Sequence, residues 1–398
     1  MKVLHVIDGL GLGGGAEHSL VALLPELRER GVTSTVVCLR PRTGGLSDDV
    51  RAAGFPLEVL PGQRLPGRVA GLRRAIREHR PDVVHATLFD SCLASRLAGV
   101  GLGVPIVNSL VNVRDDAVRV RYLGRTGWKH AVVRLVDGVT ARRLLDHAHA
   151  LTETVRAEAI GVLHLDPGRV TVVPRGRSAA TLGAATPERR TRVRARLGVP
   201  DAAPVVLSVG RQDRQKGQDV LVRAFADLLA GRPDAVLLIA GRPGTATSAV
   251  EQAISETGVS GSVRALGHRT DVADLMAASD VLAFPSYHEG LGCSIVEAMA
   301  LGLPVVGSDA PAVAEVLEGG RLGELVPRGD VGALSEAREG LLADPDRRRE
   351  LAGAGRARFE ERYELSVVAD AMVDLYGEVA AQAAQPADRV AGARAGTT

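Results

Sequence analysis

Residues 284–306 read Phe-Pro-Ser-Tyr-His-Glu-Gly-Leu-Gly-Cys-Ser-Ile-Val-Glu-Ala-Met-Ala-Leu-Gly-Leu-Pro-Val-Val. An apolar run ends at Phe284, a glycine-bearing loop carries Glu289, and a helix carrying Glu297 stops near Gly302 before Pro304 introduces the next apolar run. Strand, loop, helix and strand follow one another, the unit from which parallel α/β sheets are built. Glu289 and Glu297 stand where they can accept hydrogen bonds from hydroxyls such as sugars and riboses offer. The competing reading makes Glu297 a carboxylate drawn to a helix's positive end and Glu289 an ordinary loop acid.

Outward from this segment the same alternation fills most of the 398 residues. Candidate strands in the second half are Val205–Val209, Ala235–Ala240, Val263–Leu266, Val281–Phe284 and Val305–Gly307. In the first half they are Val3–Ile7, Ser34–Leu39, Leu57–Leu60, Val83–His85 and Ile106–Ser109. Between the two sets lies Pro174–Pro204, rich in Arg, Ala, Thr, Gly and Pro, with a short basic helix at Glu188–Leu197. The fold class is therefore α/β, with two Rossmann-like doubly wound domains facing across a cleft, residues 1–177 and 178–362. Open sheets bind ligands beyond the carboxyl ends of their strands, which makes the cleft the expected site. From about Gln382 the chain is rich in Ala, Gly and Pro without apolar period, and a disordered tail over 382–398 is expected.

Composition narrows the classes. With 45% hydrophobic residues the chain buries a substantial core. Three distant cysteines, Cys38, Cys92 and Cys293, with no signal-like N-terminal segment, lead us to expect a cytoplasmic protein. No apolar run approaches the ~20 residues of a spanning helix. Residues 1–200 hold 30 Lys/Arg against 18 Asp/Glu, and the remainder 19 against 29. The basic half suggests an anionic partner: a phosphate-bearing or lipid-linked acceptor, or the inner face of an anionic membrane. An apolar stripe at Leu65, Val69, Leu72 and Ile76 beside arginines, and a basic run over Arg114–Arg143 with Tyr122 and Trp128, fit a peripheral membrane helix or simply a core face with a solvated back. Aromatic residues are only 3%, so no nucleic-acid stacking platform is expected. No Cys/His cluster has ligand spacing, and Asp344-Pro345-Asp346 reads as a helix-start turn; neither metal nor cofactor is expected.

Two further loops carry chemistry. Asp8-Gly9-Leu10-Gly11-Leu12-Gly13-Gly14-Gly15-Ala16-Glu17 joins a strand to a helix and offers bare N–H groups and a positive helix end to an anion. It also satisfies G-x-G-x-x-G, so an NADP-dependent oxidoreductase is the alternative. The second strand, however, ends in Cys38-Leu39-Arg40-Pro41-Arg42 rather than in an acid for a ribose. The loop Gly210-Arg211-Gln212-Asp213-Arg214-Gln215-Lys216-Gly217 holds one of only three lysines, Lys216. With Arg211 it forms a candidate clamp for the two phosphates of a nucleotide diphosphate.

The E-x7-E pair Glu289 and Glu297, the Pro-Ser-x-x-Glu-Gly and Glu-Ala-Met-Ala-x-Gly-x-Pro-Val-Val strings around it, the Gly14-Gly15-Ala16-Glu17 loop, the Arg211/Lys216 loop and Gly267-His268-Arg269-Thr270-Asp271-Val272 together resemble retaining glycosyltransferase family 4, of GT-B fold. The resemblance implies a hexosyltransferase using a nucleotide diphosphate sugar. In it Arg211, Lys216 and Glu289 are catalytic, and the donor is bound by Gly14, Gly15, Gly210, Arg269, Gly290, Leu291, Gly292 and Glu297 as well. Glu289 would hold the transferred sugar and Glu297 the ribose, and in a front-face mechanism the leaving phosphate takes the acceptor proton. It also implies that a C-terminal helix over 363–381 crosses back onto the first domain. Two places depart from the pattern. No histidine follows the strand in Ile106–Arg114, and the usual Pro-Asn-Gly is replaced by Pro174-Arg175-Gly176-Arg177. Acceptor-side candidates are Glu17, His85, Asn112 and Arg114, His85 being equally readable as a satisfied core histidine.

Overall fold

The computed structural model describes residues 1–11, 14–42, 45–61, 64–112 and 128–384. Seven strands form the first sheet: β1 (Lys2–Ile7), β2 (Thr33–Cys38), β3 (Leu57–Val59), β4 (Val83–Thr87), β5 (Ile106–Leu110), β6 (His147–Ala150) and β7 (Val170–Val172). Their order is β3-β2-β1-β4-β5-β6-β7, all parallel. Six more form the second: β8 (Val205–Val209), β9 (Val236–Ala240), β10 (Val263–Gly267), β11 (Val281–Phe284), β12 (Val305–Ser308) and β13 (Glu324–Val326). They run β10-β9-β8-β11-β12-β13, again parallel. Central strands such as β9, Val-Leu-Leu-Ile-Ala, are buried along their whole length because helices cover both faces. Strand order reverses between β1 and β4 and between β8 and β11, which sets a ligand crevice at each of those two points.

Two doubly wound domains are thus present, as the alternation predicts. Three strands escape that reading. In β6 the sequence His-Ala-His-Ala looks polar, yet both histidines are buried because His147 meets Thr171 Oγ1 at 2.8 Å and His149 meets the Val173 carbonyl at 2.7 Å. Strands β7 and β13 have three residues each, and Glu324 of β13 is held by Arg347.

The chain passes between the sheets twice, and the two passages pair. Arg177 N–H donates to the Tyr363 carbonyl (2.9 Å), and Leu365 N–H to the Arg177 carbonyl (2.9 Å). Beyond the second passage the helix Leu365–Ala384 packs on the first domain. Its Val368, Met372, Leu375, Tyr376 and Val379, spaced three or four apart, meet Val3, Leu27, Val83 and Val107. That helix runs three residues past the expected Ala381; the rest of the expected tail, 385–398, lies outside the described residues. The basic helix Pro187–Leu197 packs on the second domain, where Arg194 is fully buried. Its guanidinium donates to the carbonyls of Ala278 and Ala203 and to Asp280. Asp344 caps the helix Pro345–Arg358 by accepting from the N–H groups of Asp346 and Arg347, the helix-start role expected of it.

Candidate active site

At the reversal point of the second sheet, the loops after β8 and β11 are joined to each other. Tyr287 N–H donates to the Gln215 carbonyl (2.8 Å) and Gln215 Nε2 to the His288 carbonyl (2.8 Å). Gly217 makes this approach possible: its φ is +60°, and a Cβ there would sit 2.4 Å from the Pro285 carbonyl oxygen. The joined loops bring Lys216 Nζ within 2.5 Å of Glu289 Oε1, and the ammonium lies 5.1 Å from the Phe284 ring centroid. Glu289 is nearly buried, with 9% of its side chain exposed against 21% for Lys216. The ammonium therefore keeps donors for a ligand while its position is fixed.

Beyond Glu289, Gly292 at φ +85° starts the helix Cys293–Leu301, whose first turn receives no side-chain cap. Its free N–H groups and positive end face the cleft. Across the cleft starts the helix Gly15–Glu29, also without a side-chain cap, and a Cβ on Gly15 would lie 3.8 Å from Cys293 Sγ. Two helix N-termini from two domains converge, an arrangement suited to a multiply charged anion. The first domain also supports the Glu289 loop directly. Thr152 Oγ1 donates to the Gly290 carbonyl at 3.0 Å, and a Cβ on Gly290 would come within 2.2 Å of the Val111 carbonyl oxygen.

The expected site residues are distributed unevenly. Lys216, Glu289, Gly290, Gly292, Gly14 and Gly15 line this junction, with Gly210 at the start of the lysine loop, where a Cβ would lie 3.1 Å from Lys216 Cε. Glu297, one turn into its helix, is held at 2.6 Å by Arg177 Nε. Arg211 is 61% exposed and bound to Asp213 at 2.5 Å, so the expected two-cation clamp is not preassembled. Arg269 lies after the edge strand β10 in a pair with Asp271 (2.6 Å), which raises the arginine's pKa through that hydrogen bond. Leu291 is buried in the core, which leaves only its backbone for a ligand.

On the first domain, Glu17 folds over Gly14. Asn112 Oδ1 is buried without a hydrogen-bond partner among the described residues, beside Gly290. Arg114 lies outside the described residues. His85 is buried with both ring nitrogens satisfied, and it lines the small cavity that Arg175 and Ser19 also line. Its Nδ1 is 2.6 Å from the Tyr376 hydroxyl and its Nε2 2.7 Å from Ser109 Oγ, and burial drives its pKa well below 6.5.

Two arginines missing from the expected set enter the junction from the first interdomain passage. Arg175 lines a cavity of about 50 Å³ with His85, Ser109 and His149, and burial lowers its pKa, against the opposing influence of Cys293 and Glu17. Burial also opposes the charge on Arg177, but the Cys293 sulfur and the Glu297 carboxylate outweigh that penalty and raise its pKa. The signal available in the sequence was their presence at and just after the place of Pro-Asn-Gly.

At the reversal point of the first sheet, Asp8 Oδ1 accepts from Ser91 N–H (2.9 Å) and Oγ (2.6 Å). Asp90 takes Arg40, and Arg68 at 3.1 Å. A Cβ on Gly9 would lie 3.0 Å from Arg42 Cγ. Arg40, which would have to receive the phosphate of NADP, is committed to Asp90, and Arg42 covers the first glycine of the fingerprint. Among the described residues, no group of three His, Cys, Asp or Glu side chains is placed to hold a metal ion, and no helix is long and apolar enough to cross a membrane.

Residues 189–358 match the family model for glycosyl transferases group 1, and residues 14–176 that for the glycosyl transferase 4-like domain. The chain is similar to a D-inositol 3-phosphate glycosyltransferase of Kineococcus radiotolerans, 31% identical over 92% of this chain and 91% of the other. It is similar as well to an alpha-maltose-1-phosphate synthase of Mycolicibacterium smegmatis, 32% identical over 92% and 96%. In three dimensions it matches Anabaena HepE, crystallised with UDP-glucose, with a TM-score of 0.81, 23% identity and coverage of 95% and 100%. The oxidoreductase alternative finds no support among these similarities.

Proposed function

This chain belongs to the glycosyltransferases of family 4 type with the GT-B fold, and from that premise we propose that it transfers a sugar from a nucleotide diphosphate to a hydroxyl of a phosphate-bearing small-molecule acceptor, with retention at the anomeric carbon. The observation that carries this reading is the Lys216–Glu289 pair held between two converging helix N-termini. Charge develops on the diphosphate as it departs, and a cation and N–H groups fixed beforehand at that point lower the barrier. Lys216 and the first turn of Cys293–Leu301 meet the leaving phosphates, with Arg211 swinging from Asp213 to join them. No metal is required in this scheme, because these cations and dipoles supply the countercharge. Glu289 binds the hydroxyls of the transferred sugar and Glu297 those of the ribose.

Retention belongs to the front-face scheme, in which Glu289 has a positioning part. One of its oxygens is taken by Lys216 at 2.5 Å, so the carboxylate is positioned together with the cation that meets the leaving phosphate. The bond from the anomeric carbon to the phosphate oxygen breaks, the acceptor oxygen bonds to the same face, and its proton passes to the departing phosphate. The names of the relatives point to acceptors or products that carry phosphate, and Arg42 beside the first sheet's reversal point offers a guanidinium for one.

Thermal-shift screening of the whole chain against UDP-, GDP- and ADP-sugars tests the donor, since a specific ligand raises apparent stability by mass action. One donor class is expected to shift the transition, and proton NMR of the product made on inositol phosphate or a sugar phosphate is expected to show the donor's own anomeric configuration. A product of inverted configuration would end the front-face assignment.

A further inference from the structure

Arg177 stands where the two interdomain passages are hydrogen-bonded to each other, through its own N–H and carbonyl, with Ala179 N–H donating to the Glu364 carboxylate beside it. A rotation of one domain against the other about these passages displaces its backbone least. Its side chain meanwhile reaches into the junction. Nε donates to Glu297 Oε1 at 2.6 Å, and Nη1 to Ser19 Oγ at 3.0 Å and to the Gly176 carbonyl at 2.9 Å. Ser19 Oγ in turn donates to the Gly15 carbonyl at 2.6 Å, at the start of the first domain's helix. One guanidinium therefore connects the second domain's helix, the first domain's helix and the hinge between them. Only 14% of the Arg177 side chain and 19% of that of Glu297 are exposed.

A pair buried to this degree is weak evidence for stability, because desolvation offsets much of the attraction. What the fork does provide is direction: it takes Oε1 of Glu297 and leaves Oε2 for other donors. We propose that Arg177 is a positioning residue for donor binding, holding Glu297 so that its second oxygen accepts the ribose hydroxyls, and tying that contact to the approach of the first domain through Ser19. The assignment rests on the reading of Glu297 as the ribose carboxylate.

Steady-state kinetics with the donor that binds the wild-type chain, and calorimetry with its nucleoside diphosphate, test the assignment on Arg177→Ala, Arg177→Lys, Glu297→Ala and Arg177→Ala/Glu297→Ala. Arg177→Ala is expected to raise donor KM and the diphosphate Kd about tenfold, the scale of losing a hydrogen bond to a charged group, with a smaller fall in kcat. Arg177→Lys should recover part of the loss, because an ammonium reaches Glu297 but cannot hold Ser19 and Gly176 at the same time. In the Glu297→Ala background the Arg177→Ala effect on Kd should vanish. If Glu297→Ala weakens diphosphate binding while Arg177→Ala does not, or if the two losses simply add, Arg177 has only a structural role and the proposal is overturned while the donor reading stands. If Glu297→Ala leaves Kd unchanged, the ribose assignment falls and this proposal falls with it.

Discussion

At the carboxyl end of the second sheet, Lys216 and Glu289 hold each other in a cleft that still reaches solvent, and the helix behind them starts without a side-chain cap. Beneath the C-terminal helix, the first sheet gathers as many titratable groups and satisfies them internally. The Val173 carbonyl can only accept, so His149 Nε2 carries a proton and its Nδ1 receives one from Ser109 Oγ (3.0 Å). Ser109 then accepts from His85 Nε2 and from Thr87 Oγ1, and His85 Nδ1 accepts from the Tyr376 hydroxyl. The chain of donors has one consistent direction with both histidines neutral. Polar groups in the second region wait for a ligand; in the first they fasten a helix to a sheet.

The same contrast changes the meaning of the charge imbalance. Five of the thirty basic residues counted in the first half, Arg189, Arg190, Arg192, Arg194 and Arg196, stand on the helix Pro187–Leu197, which packs on the second domain. Others donate to backbone carbonyls: Arg73 to Ala98 and Val100, Arg156 to Val170 and Pro167, Arg169 to Asp146. A guanidinium bound to carbonyls needs no carboxylate, so arginine used in this way builds positive charge without an anionic partner. Arg40 and Arg68 are likewise accounted for within the fold, both by Asp90.

The comparison breaks most sharply at Lys216. If the pair with Glu289 serves the leaving diphosphate, Lys216→Ala lowers kcat by about 10²- to 10³-fold, as the loss of a preorganised charge does elsewhere. The thermal transition should fall too, because Glu289 is left nearly buried without its partner, so kcat is compared at a temperature where both proteins are folded. A variant that unfolds early yet transfers sugar at the normal rate would make Lys216 a structural residue like His85.

Much of this was legible beforehand, for physical reasons that also explain the remainder. Parallel strands covered on both faces are continuous apolar runs, so β8, β9 and β11 announce themselves, as do the loops that follow β8 and β11. Strand β6 does not, because two of its four residues are histidines whose burial depends on partners far along the chain. His85 depends likewise on Tyr376, 291 residues away, and no local pattern records that contact. Arg175 and Arg177 were visible only as a departure at and just after an expected tripeptide; that they enter the interdomain junction follows from the pairing of the two interdomain passages.

The first region can be tested by acid. Burial pushes the pKa of His5 and of His149 down to about 4, and that of His85 well below 6.5, with Arg175 adding repulsion at His85 and His149. The folded chain therefore keeps these rings neutral where the unfolded chain protonates them. Below about pH 6.5 the unfolded state binds more protons, so stability falls as pH drops and the loss continues to about pH 4. Each histidine contributes a slope of about 1.4 kcal/mol per pH unit within that window. Chemical denaturation between pH 7 and 4.5 should show this decline, and His5→Gln should make it shallower. A flat profile would mean that the rings carry charge in the folded chain.

The smallest expected effect separates the two regions most cleanly. Tyr376→Phe removes one hydroxyl and leaves His85 Nδ1 buried without its donor, which costs about 1–3 kcal/mol of stability. The ring still fills its place among Val3, Val83 and Met372, so no cavity term is added. Because the hydroxyl lies in the network under the C-terminal helix and touches neither Lys216 nor Glu289, the nucleoside diphosphate Kd should stay within about twofold of wild type, less than the 1.4 kcal/mol that a tenfold change represents. Loss of donor affinity in step with loss of stability would show that the fastening of the helix and the donor site are one cooperative unit, and the contrast between the two regions would fail.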